Sequence, residues 1–283
     1  MEHEILPTEN SIFEKAQTPS CQNCGAVVSG RFCAACGQKH PQERFTVRAL
    51  LHSAYEHTFE FDRGFFFTLR ELFLHPARVI REYVSGRRSI YANPVKYLAI
   101  WLGISTLLMT MFVDPEKLTL QAQRQIIQDP VSAPVRKQSP RMRQMQADIS
   151  DIQRQLFQNP QFIYALLVPL LSVFTALLLR GSGFNYAEHL VFNTYLMAQN
   201  IVLYVPFYPL YRLLPNHMMV VSEITLLLSV LYFAGVAGVV FRHKSRLAVF
   251  VRAFFAYVFA YAALMLVGVL VGVLYAAIAF MND

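Results

Sequence analysis

Apolar residues run in long unbroken blocks along this chain, not in the short alternations of half-buried strands. The first block, Pro94–Val113, opens on Asn93-Pro94 and stops at Asp114-Pro115. Asn caps a helix and Pro at its first position gives up no needed N–H. Twenty residues at 1.5 Å each cover about 30 Å, the thickness of a bilayer's hydrocarbon. A second block, Phe162–Leu179, follows Asn159-Pro160 and ends at Arg180-Gly181. The third covers about Ala187–Tyr211, with Pro206 and Pro209 near its end, and the fourth about Met218–Phe241. The fifth lies within Ala248–Met281, read as Ala253–Phe280. The pattern predicts five membrane spans, because a soluble protein would have no polar shell left to hide five such helices.

Composition agrees. Of 283 residues, 55% are hydrophobic and 15% charged, and mean hydropathy is +0.35. Soluble domains carry about 25% charged residues, so a wholly soluble enzyme, a disordered chain and a fibrous repeat are all excluded. The 25 Lys/Arg and 18 Asp/Glu are segregated. Residues 1–97 hold 12 basic and 10 acidic side chains, and residues 114–161 hold 7 and 5. The predicted organisation is a disordered leader over 1–20, a small ribbon over 21–40, juxtamembrane helices over 41–92, and a transmembrane domain over 93–283 with an extracytoplasmic insert at 114–161. The acidic start, Met1-Glu2-His3-Glu4, lacks the basic and apolar parts of a cleaved secretory signal.

Orientation follows from Lys/Arg beside the spans. Arg78, Arg81, Arg87, Arg88 and Lys96 precede the first, and Arg242, Lys244, Arg246 and Arg252 separate the fourth from the fifth. Both clusters are cytoplasmic if the N-terminus is, which puts Asn282-Asp283 outside. The seven basic residues of the insert then lie outside, which long loops tolerate. The insert is rich in Gln, with eleven from Gln121 to Gln161, and Leu118–Gln128 and Met142–Gln158 suit short helices. It reads as a solvated loop or a partner-binding hairpin.

All four cysteines fall within sixteen residues, as Cys21-Gln-Asn-Cys24-Gly25 and Cys33-Ala-Ala-Cys36-Gly37. Two C-x2-C-G knuckles bring four thiolates together, which suits a tetrahedral structural zinc with no open coordination position. So short a segment has no core, and the metal would supply its folding energy. Disulfides conflict with a cytoplasmic N-terminus, and iron on the same knuckles is the other metal. Between Cys21 and Cys36 the only charged residue is Arg31, so a nucleic-acid role is disfavoured.

Between ribbon and first span, Val47, Leu50, Leu51, Ala54 and Thr58 repeat at helical spacing. After Asp62-Arg63-Gly64 a second helix puts Phe65, Leu69, Leu72 and Phe73 on one face, with Arg70 and Glu71 elsewhere. Pro76–Ser85 forms a third, closed by Gly86. Such aromatic, basic amphipathic helices lie in the membrane interface or pack against the spans. Arg81, Arg87 and Arg88 are topology determinants and candidate contacts for anionic lipid headgroups.

The third span carries Glu188, His189, Asn193, Gln199 and Asn200. At 100° per residue they form a broad polar face that suits a cavity wall; interfacial capping and interhelical hydrogen bonds are the alternative. Glu188-His189 offers acid–base or metal chemistry, but no HExxH, GxSxG or phosphate loop completes a reaction centre. Gly268-x3-Gly272-x3-Ala276 and Ala234-x3-Gly238 are small-residue ridges for helix packing or a homo-oligomer.

The double knuckle ending in Gly37-Gln38 resembles the Domain of Unknown Function 3667 family of bacterial membrane proteins. So do Arg63-Gly64-Phe65, Thr68-Leu69, Pro76, the run Ile80–Arg88, Tyr91 and Asn93-Pro94. The resemblance covers about residues 21–110 and implies a bacterial inner-membrane protein with an N-terminal zinc ribbon, and no catalytic residue. The chain is thus expected to be an all-α polytopic membrane protein with about five transmembrane helices, a small N-terminal four-Cys zinc ribbon and juxtamembrane amphipathic helices. The expected role is docking, assembly or regulation through a cytoplasmic protein partner. The alternative is a small transporter, channel or lipid-handling protein using the third span's polar face.

Overall fold

A computed structural model of the chain describes residues 20–40, 44, 46–56, 64–112, 160–214, 217–241 and 245–281. The leader and the insert, with the two short helices expected in it, lie outside the described residues, apart from Ser20 and the first two residues of α5. Helix dominates: α1 Val47–Glu56, α2 Gly64–Leu74, α3 Pro76–Val84, α4 Pro94–Phe112, α5 Pro160–Leu178, α6 Tyr186–Tyr204, α7 Tyr208–Leu213, α8 Met218–Val240 and α9 Arg246–Met281. Among the described residues there is no strand, only two isolated bridges in the ribbon.

Five helices are long and apolar enough to cross a membrane: Pro94–Phe112, Gln161–Leu178, Tyr186–Leu213, Val220–Val240 and Arg246–Leu274. The chain has the architecture of a multi-pass membrane protein. The Asn93 cap forms as expected, its Oδ1 accepting from the N–H groups of Val95 (2.9 Å) and Lys96 (3.4 Å). Two boundaries differ from expectation. The third span breaks into a 3-10 turn at Val205–Phe207, because Pro206 and Pro209 withdraw backbone donors. The fifth helix starts at Arg246, seven residues earlier than read, since the basic linker carries no helix breaker.

α6 is the central post. Within the best 18-residue stretch of each span, 72% of α6 is buried against 11% of α9. It packs on α4, α5 and α8 in the membrane region and meets α1 and α3 at its start. The second half of α9 stands apart, and a Cβ on Gly268 or Gly272 would meet no atom within 4 Å. At these two glycines the small-residue ridge meets no described residue. Ala234-x3-Gly238 does pack inward: Ala234 is buried and Gly238 lies 3.3 Å, measured from an ideal Cβ, from the Arg246 carbonyl.

One end of the bundle gathers the described segments N-terminal to α4. Phe65 stacks on Trp101 and Tyr97, and Tyr83 and Tyr97 pack against Tyr195. Buried hydroxyls find acceptors here: Tyr195 donates to the Ala92 carbonyl at 2.6 Å and Tyr97 to Gln199 Oε1 at 2.9 Å. Gly64 lets α2 close onto the segment before α4, since a Cβ there would sit 3.0 Å from the Ile90 carbonyl oxygen and 3.3 Å from Ala92 N. Both neighbours are backbone and cannot swing aside. Gly64→Ala is expected to cost about 1–3 kcal/mol, seen as a lower Tm of the purified protein, while Gly103→Ala, with nothing within 4 Å, leaves Tm unchanged.

The expected helix faces hold only in part. On α2, Phe65, Thr68, Glu71 and Leu72 are buried, while Phe73 is exposed. Glu71 is buried all the same, with His75 Nδ1 (3.3 Å) and Arg78 Nη1 (4.0 Å) at its carboxylate. On α1, among residues 47–53, Leu50 is buried and Ser53 half-buried, while Val47 and Leu51 face outward. On α3 the buried set is Ala77, Val79, Ile80 and Tyr83.

Candidate metal centre and its link to the membrane helices

The two knuckles repeat each other bond for bond. Cys21 N–H donates to Ala26 O and Gly25 N–H to Cys21 O; Cys33 N–H donates to Gln38 O and Gly37 N–H to Cys33 O, all at 2.8 Å. Gly25 and Gly37 take φ of +76° and +73°, the left-handed turn that carries the chain past each sulfur pair. The four Sγ atoms lie within 4.8 Å of one another, with Cys21–Cys36 at 3.6 Å and Cys24–Cys33 at 3.5 Å. A tetrahedral ion with metal–sulfur bonds near 2.3 Å needs sulfur–sulfur edges of about 3.8 Å, so the cluster fits a metal ion. All four cysteines are free thiols.

The thiols share one charge problem. The Gln38 backbone N–H stabilises the Cys36 thiolate and brings its pKa down to about 6. The Ala26 N–H does the same for Cys24, but hydrogen bonding with the other thiols outweighs it and pushes Cys24 up to about 12. One sulfur ionises readily and the next resists, and a cation placed among them removes that resistance. Among the described residues, the core around the cluster is Cys21, Val28 and Cys33, with Ala26 and Cys36 against it.

Two side chains just past the last cysteine tie the ribbon to the bundle. Gln38, buried, donates from Nε2 to the Gly86 carbonyl at 2.9 Å, and its Oε1 accepts from the N–H groups of Arg88 (3.1 Å) and Ser89 (3.3 Å). Arg44 grips Glu188 with two donors, Nε to Oε1 at 2.9 Å and Nη2 to Oε2 at 3.1 Å, and Nη2 also donates to the Gly183 carbonyl at 2.6 Å. This hydrogen bonding to Glu188 raises the Arg44 pKa above its ordinary value. Glu188 sits in a capping box at the start of α6: its N–H donates to Asn185 Oδ1 (2.9 Å), and its Oε2 accepts from Asn185 N–H (2.7 Å). Arg44 and the bridging function of Gln38 were not among the expected site residues. Nothing local marks them, since their partners lie 48 to 144 residues away.

Residues 62–106 match the family model described as Protein of unknown function (DUF3667). The resemblance read from the motifs is borne out on this segment. No curated protein and no solved structure matches the chain. The DUF3667 segment runs through α2, α3 and most of α4, and supplies Gly86, Arg88 and Ser89, the groups that receive Gln38.

Three basic residues of that segment, Arg81, Arg87 and Arg88, are engaged within the protein. Arg81 donates to the carbonyls of Val239 and Val240, capping the C-terminus of α8, where a cation also meets the negative end of the helix dipole. Arg87 pairs with Glu82 at 3.3 Å, and Arg88 Nε donates to the Tyr83 carbonyl at 3.3 Å, with burial lowering the Arg88 pKa. These contacts give all three a structural task beside any headgroup contact.

The polar face of α6 is sealed. Glu188, His189, Asn193, Gln199 and Asn200 are all buried, and Asn193 and Gln199 have no accessible surface. Asn193 Nδ2 donates to Ser172 Oγ (3.0 Å) and Thr175 Oγ1 (2.9 Å) on α5, while Gln199 accepts from Tyr97 on α4. His189 stacks on Phe241 with ring centroids 5.5 Å apart and touches Ser182 Oγ at 3.4 Å. No hydrogen bond joins His189 to Glu188, so the structure does not assemble them into an acid–base pair. Asn200 finds no hydrogen-bond partner for either amide atom among the described residues. The geometry favours helix–helix hydrogen bonding over a cavity wall.

Proposed function

We propose that this chain is a docking or regulatory component of a bacterial inner membrane, whose cytoplasmic ribbon holds a structural zinc ion and presents a surface to a protein partner. The observation that carries this reading is the attachment of the ribbon. A closed four-cysteine cluster is fixed to the membrane helices by Gln38 and Arg44, while Val27 and Phe32 remain exposed, at 67% and 63%. A closed site leaves no coordination position for a substrate, so the metal would shape a surface and not a reaction. Zinc is favoured over iron as the ordinary occupant of an all-cysteine structural site of this size. The cytoplasmic placement is supported by charge: Arg78, Arg88, Lys96, Arg180 and Arg246 gather at the ribbon's end of the bundle.

Chemical crosslinking in intact cells, followed by mass spectrometry, tests the docking role. Val27→Ser/Phe32→Ser leaves every cysteine in place, and about a tenfold loss of crosslinked partner is expected, the scale of losing apolar hot-spot contacts. A partner retained at full yield by this variant and by Cys33→Ser would overturn the reading.

A further inference from the structure

α2 carries apolar residues on both sides. Phe65 and Leu72 are buried in the protein, yet Phe66, Phe73 and Leu74 are exposed at 66%, 49% and 56%. A helix at an aqueous surface would put polar residues there. Its depth explains why it does not. Phe65 stacks on Trp101, seven residues inside α4 from Pro94, or about 10 Å along the axis. At the other end, the Leu72 carbonyl accepts from Tyr232 at 3.5 Å, eight residues before α8 ends at Val240, or about 12 Å. α2 therefore starts at the level where α4 begins, with Thr68 accepting from Ala92 N–H at 2.8 Å, while Phe65 and Leu72 reach Trp101 and Tyr232 farther along the spans, and its outward face adjoins the apolar outer surface of α4 and α8. Charge fits the same surroundings. The exposed charges on α2 and the start of α3 are Arg70 and Arg78, while Glu71 is turned inward. Long basic side chains near a helix end reach back to the phosphate layer.

We infer that α2 is a half-inserted helix in the leaflet on the ribbon's side, with Phe66, Phe73 and Leu74 among the acyl chains and Arg70 and Arg78 at the level of anionic headgroups. This rests on the membrane reading of α4 and α8 and not on the ribbon's docking role. A second copy of the chain or a partner's helix over this face are the competing occupants.

The test uses the full chain reconstituted in vesicles of phosphatidylethanolamine and phosphatidylglycerol. In a Trp101→Phe background, Phe66→Trp and Phe73→Trp each place a single reporter on the outward face. Leu270→Trp on exposed α9 reports insertion, and Phe32→Trp reports water. Lipid brominated near the glycerol end of its acyl chains is expected to quench Trp at 66 and 73 by about half, as for an interfacial helix, while aqueous iodide quenches only Trp at 32. Iodide quenching at 66 and 73, or no quenching by either agent, overturns the inference when Leu270→Trp is still quenched by lipid. Loss of quenching at Leu270→Trp instead would strike the membrane reading itself. A benzophenone-bearing phenylalanine at position 66, with Trp101 kept, gives an independent readout. Adducts to lipid are expected, and adducts only to protein overturn the inference.

Discussion

Cys33→Ser is expected to release the metal and unfold residues 20–40 while the membrane bundle stays assembled. The ribbon's apolar core is three side chains, two of them cysteines, and cannot offset the conformational entropy of about twenty ordered residues. Structural zinc supplies roughly 10–16 kcal/mol in isolated fingers of this kind, so the ribbon's fold and its metal stand or fall together. Elemental analysis of purified wild-type protein should give one zinc per chain and Cys33→Ser close to none. Hydrogen exchange should rise throughout residues 20–40, with protection of α5, α6 and α8 kept. Stripping wild type with a strong chelator should reproduce the same map. A metal-free protein whose ribbon amides stay protected would refute this account.

The spans were legible because membrane helices obey a length rule that a single sequence displays: about twenty apolar residues between polar breaks. The Asn93 cap and the two knuckles were legible for the same reason, since each is a local pattern with a local cause. Single faces were not. The helical period grouped Phe73 with Phe65 and Leu72 and set Glu71 apart, but it does not say which neighbours cover the helix: Phe73 is exposed, and Glu71 is buried with His75 and Arg78 at its carboxylate. Capping and interhelical hydrogen bonding were readable for the polar residues of α6, but their partners were not, because Ser172, Thr175 and Tyr97 approach from other helices. The link between ribbon and bundle was hidden for that reason too. A lone Arg44 in a short connecting segment shows nothing of a carboxylate 144 residues away.

Substitutions at Glu188 are expected to separate its two tasks. Glu188→Gln keeps a side chain that can complete the capping box but removes the charge that holds Arg44. The bundle should melt close to wild type, while residues 36–46 exchange hydrogens about tenfold faster as that segment opens locally. Glu188→Ala loses both, and the missing cap should cost roughly 0.5–2 kcal/mol, a fall in Tm of a few degrees for a chain of this size. Arg44→Ala is the informative comparison. It leaves the Glu188 carboxylate, with 6% of its side-chain surface accessible, without the guanidinium that neutralises it, although Arg44 itself is 63% exposed; a buried carboxylate that has lost its cation is less favourable than a neutral amide in the same place. Arg44→Ala should therefore melt below Arg44→Ala/Glu188→Gln, the double variant recovering part of the loss. Equal melting of the two would mean that Glu188 is neutralised by another group.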